Sequence, residues 1–355
     1  MTTSQARLGS RLDPGQLKIN YPTNVRRRDT GIHRALSQDR RWDAGISSMT
    51  MSPRRVMPDP SLEEVAADVY AYVQPDGSWC LNNAGVVRGG GATVVVDTAA
   101  TASRARRLRQ AVTSLGGSTV TIVNTHHHGD HVFGNSVFGP DTTIVAHQLA
   151  RSEMIASGLA LQELWPEVEW GEIELTLPTV TFSRQATLHI GELEMQLVHV
   201  GPAHTTNDVV VWLPGRDVLF AGDVVFNGAA PFCLMGSVSG SLAAISRLRE
   251  LGAGTIVPGH GPVGGGDLLG WTADYLTWVQ RVAADGVDAG LSPLEAAREA
   301  GPGPFPGLLD SERIIGNLVR AYSELSGEEP GTALDVPAAF QLMVEYHGGM
   351  PRCFA

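Results

Sequence analysis

The stretch Asn124-Thr125-His126-His127-His128-Gly129-Asp130-His131-Val132-Phe133-Gly134-Asn135 decides how this chain is read. It follows Thr119-Val120-Thr121-Ile122-Val123, a β-branched run with the character of a buried strand, so the histidines stand where a strand opens into a loop. His126 and His128 are two apart, a spacing that in extended backbone puts both imidazoles on one side of the chain. Gly129 lets the backbone turn and swing Asp130 and His131 toward the same point. Neutral imidazole nitrogens and a carboxylate are donors that zinc and similar first-row metals accept. A lone histidine is ordinarily solvated or hydrogen-bonded, but four ligand types within six positions predict a metal site. His127 alternates to the other face and reads as a packing residue.

Outward from that loop, β-branched runs separated by glycine turns predict strands at 69–73, 79–87 and 93–97, then an Arg/Ala/Leu-rich helix at 101–114 with Asp97-Thr98 able to cap it. A short strand follows at 142–146. The second half repeats the pattern, with strands expected at 179–182, 187–190, 194–200, 209–213, 218–220 and 255–257 and a helix at 241–251. Two strand-rich halves, each followed by helices, predict an α/β (α+β) chain built as a four-layer αββα sandwich. His204, Asp223 and His260 each sit at the exit of an apolar strand beside glycine or proline. Strand ends along one edge of a sandwich can meet in space.

The 355 residues divide by charge. Residues 1–57 hold 11 Lys/Arg and 4 Asp/Glu, whereas the other 298 hold 15 and 33, so a basic arm of +7 precedes a body of −18. Pro14, Pro22 and Pro53 interrupt the arm and few apolar residues repay its ordering, which predicts a disordered leader; Met49, Met51 and Met57 also allow a downstream start. No apolar run reaches the length of a signal peptide or membrane span, so the expectation is a cytoplasmic protein without a membrane partner. The acidic body argues against a nucleic-acid partner. Cys80, Cys233 and Cys353 are far apart and odd in number, offering neither a disulfide framework nor a zinc knuckle.

Residues 58–266 read as the catalytic body and 267–355 as a helical region, with helices expected at 271–284, 293–300 and 311–325. That region reads as a bundle closing the sandwich, with a pocket wall or a homodimer surface as the alternative. His347 reads as packed or exposed. The connection 154–178 carries Trp165 and Trp170, and the apolar segment 226–236 carries Phe226 and Phe232. Together these could wall a pocket for a large flat ligand.

The ordered set His126-x-His128-x-Asp130-His131, His204, Asp223 and His260, spread over residues 62–270, resembles the ligand set of the metallo-β-lactamase superfamily of binuclear hydrolases. The resemblance implies two divalent ions, zinc first and manganese or iron tolerated, with His126, His128 and His204 on one, Asp130, His131 and His260 on the other, and Asp223 bridging. Asp97 matches a supporting Asp behind the metal loop. Asp130 and Asp223 are the implied catalytic carboxylates. The penicillin-opening members with two zinc ions carry cysteine where this chain has Asp223, which turns the expectation toward the thioesterase and lactonase branches. Further segments, Trp165-Pro166-x-Val168-x-Trp170-Gly171, Gly201 to Thr205, Asp208 to Pro214 and Glu345 to Ala355, are similar to the metallo-β-lactamase-fold cyclase/thioesterases of bacterial aromatic polyketide pathways, the actinorhodin type. What that implies is an enzyme acting on a polyketide intermediate held as a thioester, free or on an acyl carrier protein.

Overall fold

A computed structural model describes residues 57–116 and 119–355. The disordered arm expected at 1–57 lies, but for Met57, outside the described residues. One sheet takes its strands in chain order: β1 (Ser61–Ala66), β2 (Val69–Val73), β3 (Ala84–Gly89), β4 (Ala92–Val96), β5 (Thr119–Val123), β6 (Thr143–His147) and β7 (Val180–Phe182). The second is built from β8 (Gln185–Ile190), β9 (Leu193–His199), β10 (Val209–Leu213), β11 (Val218–Phe226) and β12 (Thr255–His260), in the order β12-β11-β10-β9-β8. The helices are α1 (Ala102–Ser114), α2 (Gly129–Val132), α3 (Gln148–Ser157), α4 (Leu161–Leu164), α5 (Val238–Leu251), α6 (Asp267–Asp288), α7 (Pro293–Ala300), α8 (Arg313–Leu325) and α9 (Val336–His347).

Period-two alternation makes the layers. Val94 and Val96 of β4 face inward with Val209, Val211 and Phe220 of the other sheet, while Val95 between them faces out onto Leu108 and Val112 of α1. In the second sheet Val210 and Trp212 turn outward onto Ala244, Ile245 and Leu248 of α5 and Leu268 and Leu269 of α6. The expected αββα sandwich is therefore present, with the apolar layer between the sheets as its centre.

Strand direction puts the chemistry on one edge. β4, β5 and β6 run parallel, so Asp97 and the 124–131 loop leave their strands on the same side. β11 and β12 are also parallel, which brings Asp223 and His260 out together. In sheets of this kind ligands gather outside the carboxyl ends of the strands.

Several elements depart from the sequence expectation. β1 has the polar sequence SLEEVA and forms because it pairs antiparallel with β2 at the sheet edge. Residues 79–83 are a loop rather than the start of a strand, with Cys80 at φ 63° and Asn82 bridged to His260. β11 continues from Phe220 to Phe226, placing Asp223 within the strand. The connection after Met154 begins inside α3 and includes α4. Helix α1 is capped by Thr101, whose side chain accepts from the backbone nitrogen of Arg104; Asp97 is turned to another task. α9, with Pro337 in its first turn, carries no strong apolar period and was not among the expected helices; it buries Ala339 and Met343 in the C-terminal core. The C-terminal helices pack around Tyr275, Leu276, Ile315, Leu318 and Met343 in a core shared with Phe226, Phe232 and Leu234 of β11 and the segment after it. No helix among the described residues is long and apolar enough to cross a membrane.

Candidate metal centre

The seven ligand-type residues named from the sequence meet at one point. His126, His128, His204 and Asp223 form one group and Asp130, His131 and His260 a second, the donor atoms within each lying within 4.8 Å of one another. His126 and His128 come from the loop after β5, Asp130 and His131 from the single turn α2, and His204 from the loop joining β9 to β10. Asp223 comes from β11 and His260 from the end of β12. Asp223 lies between the groups. Its Oδ1 is 3.1 Å from His131 Nε2, and its Oδ2 is 3.4 Å from both His204 Nε2 and His260 Nε2.

Four of the seven ligands are oriented from behind. Asp97, held at φ 60° just beyond β4, accepts from the Thr125 backbone nitrogen at 2.7 Å, from Thr125 Oγ1 at 2.7 Å and from His131 Nδ1 at 2.8 Å. This fixes the His131 tautomer so that Nε2 faces the cluster. Thr125 Oγ1 also meets His126 Nδ1 at 3.0 Å, so one carboxylate orients two imidazoles. His204 Nδ1 is tied to the carbonyl of Phe232, and His260 Nδ1 to that of Gly77 at 3.1 Å. His127 bonds instead to Asn207 Nδ2 at 3.0 Å and belongs to the packing, as its alternation predicts.

The donors fit divalent cations. Nε2 of His126 and His131 and Oδ1 of Asp223 are buried without a hydrogen-bond partner, a condition that costs free energy unless another group satisfies them. His204 Nε2 and His128 Nδ1 face each other at 2.8 Å. Burial, then the neighbouring imidazoles, push His126 and His128 well below the usual histidine range, which keeps them in the neutral, ligating form. Burial opposes a proton on His260 as well, but Asp223 and Asp130 outweigh it and raise that imidazole to about 9. Burial raises Asp223, and the facing His260, His131 and His204 more than reverse it, so the carboxylate stays ionised. An anionic centre ringed by imidazoles is a cation site.

The aromatic candidates separate. Phe226 stacks on His260 with ring centroids 5.3 Å apart and an interplanar angle of 13°, and Phe232 lies 6.1 Å from His204. Trp165 is fully buried and donates its indole N–H to the carbonyl of Pro351, and Trp170 packs edge-on to Phe133. Two residues that the sequence reading passed over join them: Trp79, with Trp165 and Phe232 each 5.6 Å away, and Arg313, whose guanidinium lies 4.1 Å above the Trp79 ring. Trp79 sat in a segment read as strand, and Arg313 in a distant helix, so no local signal marked either. His347 is exposed and, among the described residues, bonds only to the nearby carbonyl of Gly349.

The sequence profile of the metallo-beta-lactamase superfamily matches residues 77–260, a span that includes every one of these ligands. The chain belongs to the metallo-beta-lactamase superfamily. Among its relatives, a metallo-beta-lactamase type 2 of Bacteroides fragilis is 23% identical over 63% of this chain and 88% of that protein. A hydroxyacylglutathione hydrolase of a Synechococcus strain is 29% identical over 58% of this chain and 72% of its own length, and one from Rhodospirillum rubrum is 27% identical over 66% and 80%. The solved metallo-beta-lactamase of Pontibacter korlensis superposes with a TM-score of 0.51 and 23% identity, over 62% of this chain and 99% of that one, a likeness of fold. The chain is thus a hydrolytic enzyme of the superfamily, with His/Asp clusters suited to divalent metal ions.

Proposed function

We propose that this superfamily member is a thioesterase/cyclase that acts on a thioester-linked aromatic polyketide intermediate. The observation that supports the reading is the partly buried Trp79, whose ring lies edge-on to Phe232 beside the ligand His204; Phe226 and Phe232 themselves are buried and back His260 and His204. Flat acyl groups pack favourably on such faces. An aspartate at position 223, where the binuclear lactamases carry cysteine, supports a thioester over a β-lactam.

Two divalent cations, zinc before manganese or iron, would supply Lewis acidity for activating water and polarising the carbonyl under attack. His126, His128 and His204 would hold one and Asp130, His131 and His260 the other, with Asp223 lying between the two groups. Asp97 fixes the His131 ring, and the Phe232 and Gly77 carbonyls fix His204 and His260. Asp130 is the more accessible carboxylate, its side chain 12% exposed against 5% for Asp223, and is the group placed to take the proton of the attacking nucleophile. The acyl C–S bond breaks and the thiol leaves. Water as nucleophile gives the free acid, and an enol carbon of the same chain gives a ring.

Thiol release from an aromatic or polyketone acyl thioester of pantetheine, before and after chelation, tests this. Metal-dependent release is expected, with a product one water heavier for hydrolysis and one lacking that water for ring closure. A protein restored with zinc, manganese or iron that releases no thiol overturns the reading. Relatives named hydroxyacylglutathione hydrolase favour a second reading, hydrolysis of small thioesters. Equal turnover of aliphatic and aromatic acyl groups would select it.

A further inference from the structure

We infer that the outward face of α1 is the docking surface for an acidic protein partner, the carrier that presents the thioester; this rests on the function proposed above. Helix α1 holds Arg104, Arg106, Arg107 and Arg109 among its first eight residues, and the segment 99–116 has no acidic residue at all. Those four are a large share of the 15 basic residues carried by a body of net charge −18.

The arrangement works against the helix that contains it. The amino-terminal turns of a helix carry the positive end of its dipole and favour Asp or Glu, yet α1 has no acid in its first turn and four cations among its first eight residues. The pairs Arg104–Arg107 and Arg106–Arg109 are spaced by three, which sets like charges beside one another on the helix surface. Local rules are broken in folded proteins mainly where function requires it.

Structural duties account for only part of the set. Arg104 turns inward, donating to Gln74 Oε1 at 2.9 Å and to the Phe354 carbonyl at 2.7 Å. Arg109 donates to the Val137 carbonyl at 2.8 Å. Arg107 meets Asp59 at 3.0 Å, but the two side chains are 59% and 90% exposed, so the pair is weak and open to exchange. Arg106 is exposed and has no hydrogen bond or ion pair among the described residues. The location fits delivery of a tethered substrate. α1 begins five residues after Asp97, on the edge where the metal ligands emerge, and its arginines fall within its first ~12 Å at 1.5 Å per residue. A basic patch beside the site, on a protein that is otherwise acidic, steers an acidic carrier to that edge and repels it elsewhere.

The test pairs one variant with two substrates. In Arg106→Glu/Arg107→Glu, KM for a thioester on an acidic acyl carrier protein is expected to rise roughly ten-fold, with loss of its salt dependence, while KM for the same acyl group on pantetheine stays unchanged. The melting temperature of the variant should not fall, since glutamate suits the amino-terminal turns. Direct titration with the carrier alone, without turnover, should show the same weakening. Unchanged carrier affinity and KM would overturn the docking surface while leaving the thioesterase intact. An equal rise in KM for pantetheine thioesters would also overturn it, because the arginines would then serve the small ligand. If the native enzyme cleaves neither thioester, the function proposed above fails, and the carrier titration still decides the docking surface. A duplex oligonucleotide that binds α1 more tightly than the carrier would assign the patch to a different partner.

Discussion

A Cβ placed on Gly259 would lie 1.9 Å from Oδ1 of Asp223 and 2.8 Å from its backbone nitrogen, so only glycine lets β12 pass this close to the shared carboxylate. Gly259→Ala is expected to displace Asp223, to cost about 1–3 kcal/mol by overpacking, and to lower the metal content per chain measured by emission spectrometry. Gly222, at φ 51°, plays a related part beneath Thr125, turning the strand just before Asp223. Asp97→Asn keeps the size of the side chain but removes the charge that orients His131 and Thr125. A loss of metal affinity of about 10–100-fold is expected, read by competition with a chromogenic chelator. Asp208, buried beside the centre, receives the N–H and hydroxyl of Thr205 at 2.8 and 2.7 Å, and burial pushes its carboxyl up to about 7. The folded state therefore holds this proton more tightly than the unfolded chain. Its contribution to stability is fully present below the ordinary carboxylate range and is lost as pH rises toward 7. Asp208→Asn should flatten that part of the pH dependence in urea titrations at pH 4–8, and an unchanged slope would show that the proton is held elsewhere.

Glu324 of α8 reaches across to cap α5, accepting from the backbone nitrogens of Val238 at 2.8 Å and Ser239 at 3.1 Å, beside Ser237 Oγ, which accepts from Gly240 at 2.8 Å. Glu324→Ala is expected to cost about 1 kcal/mol, seen as a shift of the denaturant midpoint with unchanged slope. A cap donated by another helix has no sequence signature, whereas Ser237 has one. The same contrast runs through the fold. β5 was legible because its sequence is continuously β-branched, and β10 because it is apolar throughout and buried along its whole length. β1 was not, because pairing with β2 rather than its own composition makes it a strand. Among the site residues, the ligands cluster in sequence or stand beside glycine or proline after an apolar run, so their residue types announced them even where, as at Asp223, the strand continues. Trp79 and Arg313 lie 234 positions apart, and only folding stacks one over the other.

The metal donors come from four separate segments, the 124–131 stretch after β5 in the first sheet and the β9–β10 loop, β11 and β12 in the second. Cations held at the centre would therefore join the two halves of the sandwich, and their binding would stabilise the folded state by mass action. At a free metal concentration 1,000 times its Kd the gain is about 4 kcal/mol. Chelation is expected to lower the melting temperature by several degrees and re-addition of zinc to restore it; a melting curve indifferent to chelator would show that the halves hold without the ions. The order of synthesis gives this arrangement a further meaning. His126, His128, Asp130 and His131 leave the ribosome early, but β12 is the last strand of its sheet and carries His260. During translation the nascent chain thus presents a partial, weakly chelating half-site for as long as the 129 residues from His131 to His260 take to emerge. Full-strength binding, and with it any catalytic competence, waits for the final strand to dock.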